Sequence, residues 1–270
     1  MGRHVHDPPE TGDGSPLLVA VGLALAHRRG GPPVHALRGV DAVFPRGGFT
    51  AVTGPSGSGK STLLHCLAGL ERPDAGTVLL RGREITGSAE PGLTRLRARE
   101  FGFVFQTANL LPSLTVAENI TLGQRLSGLP ADRAWREELV DALGLGPRLR
   151  HRPFELSGGQ RQRAAVARAL VHRPSVLFAD EPTGQLDSRS GARVLDALRA
   201  AASVYGQTVV MVTHDPAAAA RADRVLHLRD GRIAAEAAGP AASVRALPGA
   251  GGPGWPDPGG GTGAPEGGAG

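Results

Sequence analysis

Lysine is almost missing from this chain: Lys60 stands alone beside 29 arginines in 270 residues. Cysteine is as scarce. Cys66 has no second thiol to pair with, which excludes an intramolecular disulfide framework. Long apolar runs are missing too. Stretches such as Leu17–Ala26 and Ser175–Ala179 are far too short to span a bilayer, and the amino terminus has no apolar core after a basic start. The chain is therefore expected to stay in the cytoplasm and to reach a membrane only through a partner. Its net charge of +5 arises from arginine over acid. Those arginines (Arg95, Arg97, Arg99, Arg133 and Arg136 among them) are mixed with acids rather than gathered into a basic stripe, so no nucleic acid is expected as a partner. There is no internal repeat.

Composition divides the length unevenly. Residues 1–16, with Pro8-Pro9 and Gly12-Asp13-Gly14, read as a flexible lead. Residues 239–270 are rich in glycine and proline and have almost nothing to bury against their ordering entropy, so a disordered tail is expected. One folded domain is expected over 17–238.

The lone lysine lies in Gly54-Pro55-Ser56-Gly57-Ser58-Gly59-Lys60-Ser61, which fits the phosphate-loop pattern in full. A compact ammonium on a flexible stem suits crowded phosphate oxygens better than a planar guanidinium fork does. Phe49–Thr53 reads as a buried strand entering the loop. Ser61–Ala68, with Thr62 in its first turn, reads as the helix leaving it, because Leu63, Leu64 and Leu67 follow helical spacing. Strand, glycine loop and helix would turn both backbone N–H groups and the helix's positive end toward phosphates.

Around this unit, Val34–Val40, Ala42–Pro45 and Gly76–Gly82 suggest short strands of a small antiparallel sheet. Residues 93–150 read as an inserted helical subdomain, clearest over Arg133–Leu143. Later the pattern alternates: helix 159–171, strand 176–179, helix 190–201, strand 208–212, strand 225–228. That alternation implies an α/β core with mainly parallel strands and helices on both faces.

Ser175–Ala179 is an apolar strand ending in Asp180-Glu181. After a phosphate loop, a strand-end aspartate helps hold Mg2+ opposite the loop hydroxyl of Ser61. The next carboxylate, Glu181, is placed to act as general base on water. In Leu156-Ser157-Gly158-Gly159-Gln160, Ser157 can cap a helix while the glycines leave its N–H groups open, giving a second anion-binding helix end.

This set, in this order, resembles the ATP-binding subunit of an ABC transporter, and the resemblance covers about residues 17 to 235. It extends to His214 in Val212-Thr213-His214-Asp215, which matches the family's switch histidine, and to Gln106 in Phe103-Val104-Phe105-Gln106, which matches the glutamine at the subdomain boundary. Asp187 in Thr183-Gly184-Gln185-Leu186-Asp187 matches the loop that crosses between paired subunits. The resemblance implies a P-loop NTPase cassette with ATP and Mg2+ as cofactors, Gln106 touching metal or water, and Asp187 helping position water across an interface. It also implies that Leu156–Gln160 is the family's signature and that two subunits close head to tail, each ATP lying between one phosphate loop and the other subunit's signature.

Two departures stand out. The family commonly stacks an aromatic on adenine, but Ala24–Gly30 holds no Phe, Tyr or Trp, leaving His27 or Arg29 for that task. Gln185 replaces a residue that is usually small. Gly102–Gln106, Asn109-Leu110-Leu111-Pro112 and Phe178–Gly184 resemble the branch with lipoprotein-release, macrolide-export and cell-division subunits. That branch implies integral membrane permease partners, a position on the cytoplasmic side of the membrane, and a contact region over Gln106–Glu118 presenting Leu110, Leu111 and Leu114. The alternative is a soluble ATPase of the same type with a regulatory role outside transport.

Overall fold

The computed structural model describes residues 16–28 and 32–239, together with the backbone of residues 245–246. The expected lead and tail fall almost wholly outside the described residues, as does Arg29. Along the chain, β1 (Pro16–His27), β2 (Val34–Pro45) and β3 (Phe49–Thr53) lead into α1 (Lys60–Leu67). Then come β4 (Ala75–Leu80), β5 (Arg83–Glu84), α2 (Glu90–Glu100), β6 (Phe101–Val104), α3 (Val116–Ser127) and α4 (Arg133–Ala142). The remainder is α5 (Gly158–Leu170), β7 (Val176–Asp180), α6 (Ser188–Ser203), β8 (Thr208–Val212), α7 (Pro216–Ala219), β9 (Arg224–Arg229), β10 (Arg232–Ala238) and β11 (Arg245–Ala246).

Two sheets result. The larger runs β11-β10-β9-β3-β8-β7-β6, with β9, β3, β8, β7 and β6 all parallel to their neighbours in that series and the β9-β10-β11 edge antiparallel. The smaller is antiparallel, in the order β2-β1-β4-β5. The central strands read as unbroken apolar runs because both of their faces are covered. Leu177, Ala179, Val209 and Met211 join one core with α5 and α6, while Val176, Phe178, Val210 and Val212 join the other with α1. That second core is completed by Leu17, Leu18, Leu23, Leu37 and Phe44 of the antiparallel sheet. Helices thus cover one face fully, whereas α1 shares the other with a sheet.

Two local expectations need correction. Val34–Val40 and Ala42–Pro45 are one twelve-residue strand, not two. Its pairing with β1 shifts register between Ala20 and Leu23 and again at Ala24, so bulges absorb the irregular pattern and no break is needed. Within 93–150, Phe101–Val104 is no part of a helical region: it is the edge strand of the large sheet, paired with β7. Its four residues are too few for their period to be told from a helix. The helices α3 and α4 follow it.

The insert is fastened to the core through Trp135, which is 1% exposed on α4. Its Nε1 donates to Leu170 O on α5 at 3.1 Å, its ring meets Tyr205 edge-on at 4.4 Å, and the Arg173 guanidinium lies 4.4 Å above it. Cys66 is buried, and burial pushes its thiol up to about 12, so it is an unreactive core residue. Among the described residues no helix is long and apolar enough to cross a membrane. Trp135→Ala removes a buried ring, a hydrogen bond and a cation–π contact together. It should cost about 3–5 kcal/mol in urea denaturation, and a loss below about 1 kcal/mol would show that the insert is fastened elsewhere.

Candidate active site

The phosphate loop is shaped by its neighbours as much as by its own residues. Gly59 precedes α1 at φ 101° with no side-chain cap, so the first amides of the helix stay open. A Cβ on Gly59 would collide with Ala36 O of β2, and one on Gly54 would collide with Leu228 O of β9. The loop is therefore wedged between the two sheets, and Gly231 N, in the β9–β10 turn, donates to Ser58 O at 3.1 Å. Lys60 is 9% exposed, and its Nζ donates to Gly54 O and Pro55 O, each at 2.9 Å. The ammonium thus closes the loop on itself, with weak carbonyl acceptors where an anion would bind more strongly. Ser58 Oγ is buried without a hydrogen-bond partner.

Across from the loop, β7 delivers the two carboxylates. Ser61 Oγ donates to Asp180 Oδ1 at 3.1 Å. Burial raises the Asp180 carboxyl above the ordinary range, and the Ser61 hydrogen bond pulls the other way. Glu181 sits at φ 47°, a left-handed conformation that costs a non-glycine residue about 1–3 kcal/mol. Glu181 N donates to Val212 O at 2.9 Å, which holds that turn against β8. His214 follows β8, and its Nδ1 lies 2.8 Å from Glu181 Oε1. Two adjacent parallel strands, β7 and β8, thus bring the general-base candidate and the switch-histidine candidate into direct contact. Gln106 follows β6 on the other side of β7. A Cβ added at Gly184 would lie 3.1 Å from Gln106 Nε2, so its amide rests against the turn that begins at Glu181.

The signature stands apart. Ser157 Oγ accepts from Gln160 N at 3.3 Å while Gln160 Oε1 accepts from Ser157 N at 2.9 Å, a capping box that consumes the Gln160 side chain. Leu156 is buried. The two glycines differ in kind. A Cβ on Gly159 would strike Ser190 of α6, whereas one on Gly158 would meet nothing closer than 3.9 Å. Packing demands the first; only the second is open to a ligand. Asp187 caps α6, its Oδ1 accepting from Ser190 N at 2.9 Å, and hydrogen bonds from Ser190 hold its carboxyl below the usual range. Among the described residues no hydrogen bond or ion pair joins 156–160 to 54–62.

Three residues that motif reading passed over organise the segment after Gln106. Gln162 Nε2 donates to Phe105 O at 2.8 Å, and Arg168 donates to Asn109 O at 2.6 Å and Ala108 O at 3.0 Å. Asn119, fully buried, accepts from Leu111 N at 2.8 Å and donates to Leu111 O, Leu114 O and Thr115 O. Local pattern does not single them out, because the buried faces of these helices also carry Gln124 and Ser127 on α3 and Arg163 on α5. Of the two adenine candidates, His27 is described: its Nε2 is 3.3 Å from Thr62 Oγ1 and its Nδ1 3.4 Å from Glu71 Oε1, which places the ring beside the first turn of α1.

A family model described as ABC transporter matches residues 37–184. The chain is 43% identical over 240 residues to the macrolide export ATP-binding/permease protein MacB of Azoarcus, a match covering 87% of this chain and 36% of that one. The chain thus spans about a third of the length of the macrolide-export relatives it matches. An uncharacterised ABC transporter ATP-binding protein of Thermotoga maritima is 46% identical over 202 residues, covering 74% of this chain and 86% of that one. Among solved structures, the dimeric ATP-binding cassette MJ0796 in a post-hydrolysis state with ADP and Pi superposes with a TM-score of 0.76 at 34% identity, covering 82% of this chain and 98% of that chain.

The glycine pair yields a prediction about stability alone. Gly159→Ala should lower unfolding free energy by about 1–3 kcal/mol through its clash with α6, while Gly158→Ala should stay within about 0.5 kcal/mol of the parent. Equal losses in chemical denaturation would contradict the division of roles.

Proposed function

This chain belongs to the ABC transporter family, and we propose that it is an ATP-binding and ATP-hydrolysing subunit working as a dimer, in which Lys60, Asp180, Glu181 and His214 carry Mg2+-dependent hydrolysis at the β3–α1 junction. The observation that carries this reading is the Glu181–His214 contact at 2.8 Å, beside a hydroxyl–carboxylate pair and a lysine resting on loop carbonyls.

Lys60 leaves Gly54 O and Pro55 O for the β- and γ-phosphates, and the amides of residues 57–62 supply the remaining donors. Among the described residues no group of three or more His, Cys, Asp or Glu forms a metal cage. That fits Mg2+, which takes one or two protein oxygens and completes its shell with phosphate and water. Ser61 and Asp180 are such oxygens, with Gln106 near enough to contribute through its amide. When bound, the metal offsets charge developing on the phosphate oxygens. Glu181 accepts the proton of the attacking water, and His214 orients that carboxylate while its other ring nitrogen hydrogen-bonds the γ-phosphate.

The signature residues Leu156–Gln160 serve the nucleotide held by a second copy. The lack of any hydrogen bond between them and their own phosphate loop supports this, as does the open backbone at Gly158. Asp187, at the cap of α6, orders the loop facing that copy. His27 lies against the base. Closure of the dimer passes to integral membrane permease subunits at the cytoplasmic face through residues 106–118, where Leu111 is 44% exposed and Asn119 holds the loop in shape. The relatives named as ATP-binding/permease proteins support a permease as the partner.

Lys60→Ala should abolish tight ATP binding in equilibrium titration. Glu181→Gln should keep binding, lower turnover by about 10²–10⁴-fold and accumulate an ATP-bound dimer in analytical ultracentrifugation. Turnover equal to the parent in Glu181→Gln would reject the assigned base.

A further inference from the structure

Phe154 is the most exposed large apolar side chain among the described residues, at 73%. Single exposed apolar residues are ordinary, so its place in the fold has to carry the argument. It occupies a one-turn 3-10 helix, Pro153–Glu155, directly before Leu156 and the Ser157 cap of α5. That turn is firmly held. Pro153 is buried, Glu155 N donates to Arg152 O at 3.0 Å, Arg152 N donates to Glu155 Oε2 at 2.5 Å, and Leu156 N donates to Pro153 O at 3.3 Å. Just upstream, Val116 N and Ala117 N of α3 donate to His151 O at 2.8 Å and Leu149 O at 3.0 Å. The ring is thus presented outward on a preordered support, where covering it costs little entropy. It takes part in none of the ring contacts among the described residues.

The same molecule is short of an aromatic at the opposite end of its nucleotide site. Ala24–Gly30 contains none, and His27 has both ring nitrogens occupied, by Thr62 and Glu71. An imidazole offers a smaller stacking face than phenyl and covers only one side of a base. Resting on the head-to-tail dimer proposed above, we propose that Phe154 of each copy stacks on the adenine ring bound by the other. An ATP whose γ-phosphate meets the open amides at the α5 N-terminus extends from that point along the second copy's surface. The chain entering α5 there is the Arg152–Leu156 turn, and its one large apolar side chain facing out is Phe154. Recognition of the base is then completed by dimer closure, with His27 on one face and the partner copy's Phe154 on the other.

The test uses the Glu181→Gln chain, in which ATP persists, and records by analytical ultracentrifugation the nucleotide concentration that gives half-maximal dimer. Two ligands are compared: ATP, and ribose 5′-triphosphate, which lacks a base. Adding Phe154→Ala should raise the ATP requirement about tenfold, in line with loss of one base–aromatic stack, without moving the requirement for the base-free triphosphate. Phe154→Tyr should restore the ATP value. An unchanged ATP requirement, or an equal shift with both ligands, overturns the inference, the latter because the ring would then be packing on protein. Failure of the Phe154 parent to dimerise with saturating ATP would remove the head-to-tail reading and this inference together.

Discussion

A strand that turns into a helix through six residues of glycine, serine and proline has no ladder to hold it, with Ser58 N bonded back to Pro55 O at 3.3 Å, and such a loop needs external support to stay arranged. In this protein the support comes from two directions. Ala36 O of the antiparallel sheet and Leu228 O of the parallel sheet press so closely on Gly59 and Gly54 that neither could carry a side chain. From inside, the Lys60 ammonium bonds Gly54 O and Pro55 O. The loop is thus held in a ligand-ready shape by backbone packing, which cannot rearrange cheaply, and by one cation, which can move to a better acceptor.

The rest of the site is arranged by strand order. Placing β3 next to β8, and β8 next to β7, puts the loop, the end of β8 and the end of β7 on one rim, as expected at the carboxyl ends of parallel strands. The Ser61–Asp180 and Glu181–His214 contacts each cross between elements of that rim, and the left-handed turn at Glu181 aims its carboxylate across to His214. Local strain at that turn is tolerated because Val212 O fixes the Glu181 amide.

The helix α5 joins parts of the molecule that lie outside this rim. One end of this helix carries the signature cap, and its flank holds Phe105, Ala108 and Asn109 through Gln162 and Arg168. The segment after Gln106 is therefore tied to the helix whose N-terminus is proposed to serve a second copy's nucleotide. Trp135 ties α4 to the far end of the same helix, so the insert, the signature and the Gln106 segment share one rigid support.

The phosphate loop, Asp180, Glu181, the Ser157 cap and the parallel α/β core were legible from residues alone, because each rests on local chemistry: helix spacing, a glycine run, an apolar strand ending in acids. What stayed hidden depended on neighbours distant in the chain. Phe101–Val104 is a strand only because β7 pairs with it, and β2 is continuous only because bulges in its pairing with β1 absorb the irregular pattern. Gly158 and Gly159 look alike in sequence, yet Ser190 makes one a packing requirement and leaves the other free. The sequence by itself determined which groups are the candidates for phosphate binding and proton transfer. Tertiary structure alone decided which of them meet, since hydrogen bonds and steric contacts act over a few ångströms while Ser61 and Asp180 lie 119 residues apart in the chain.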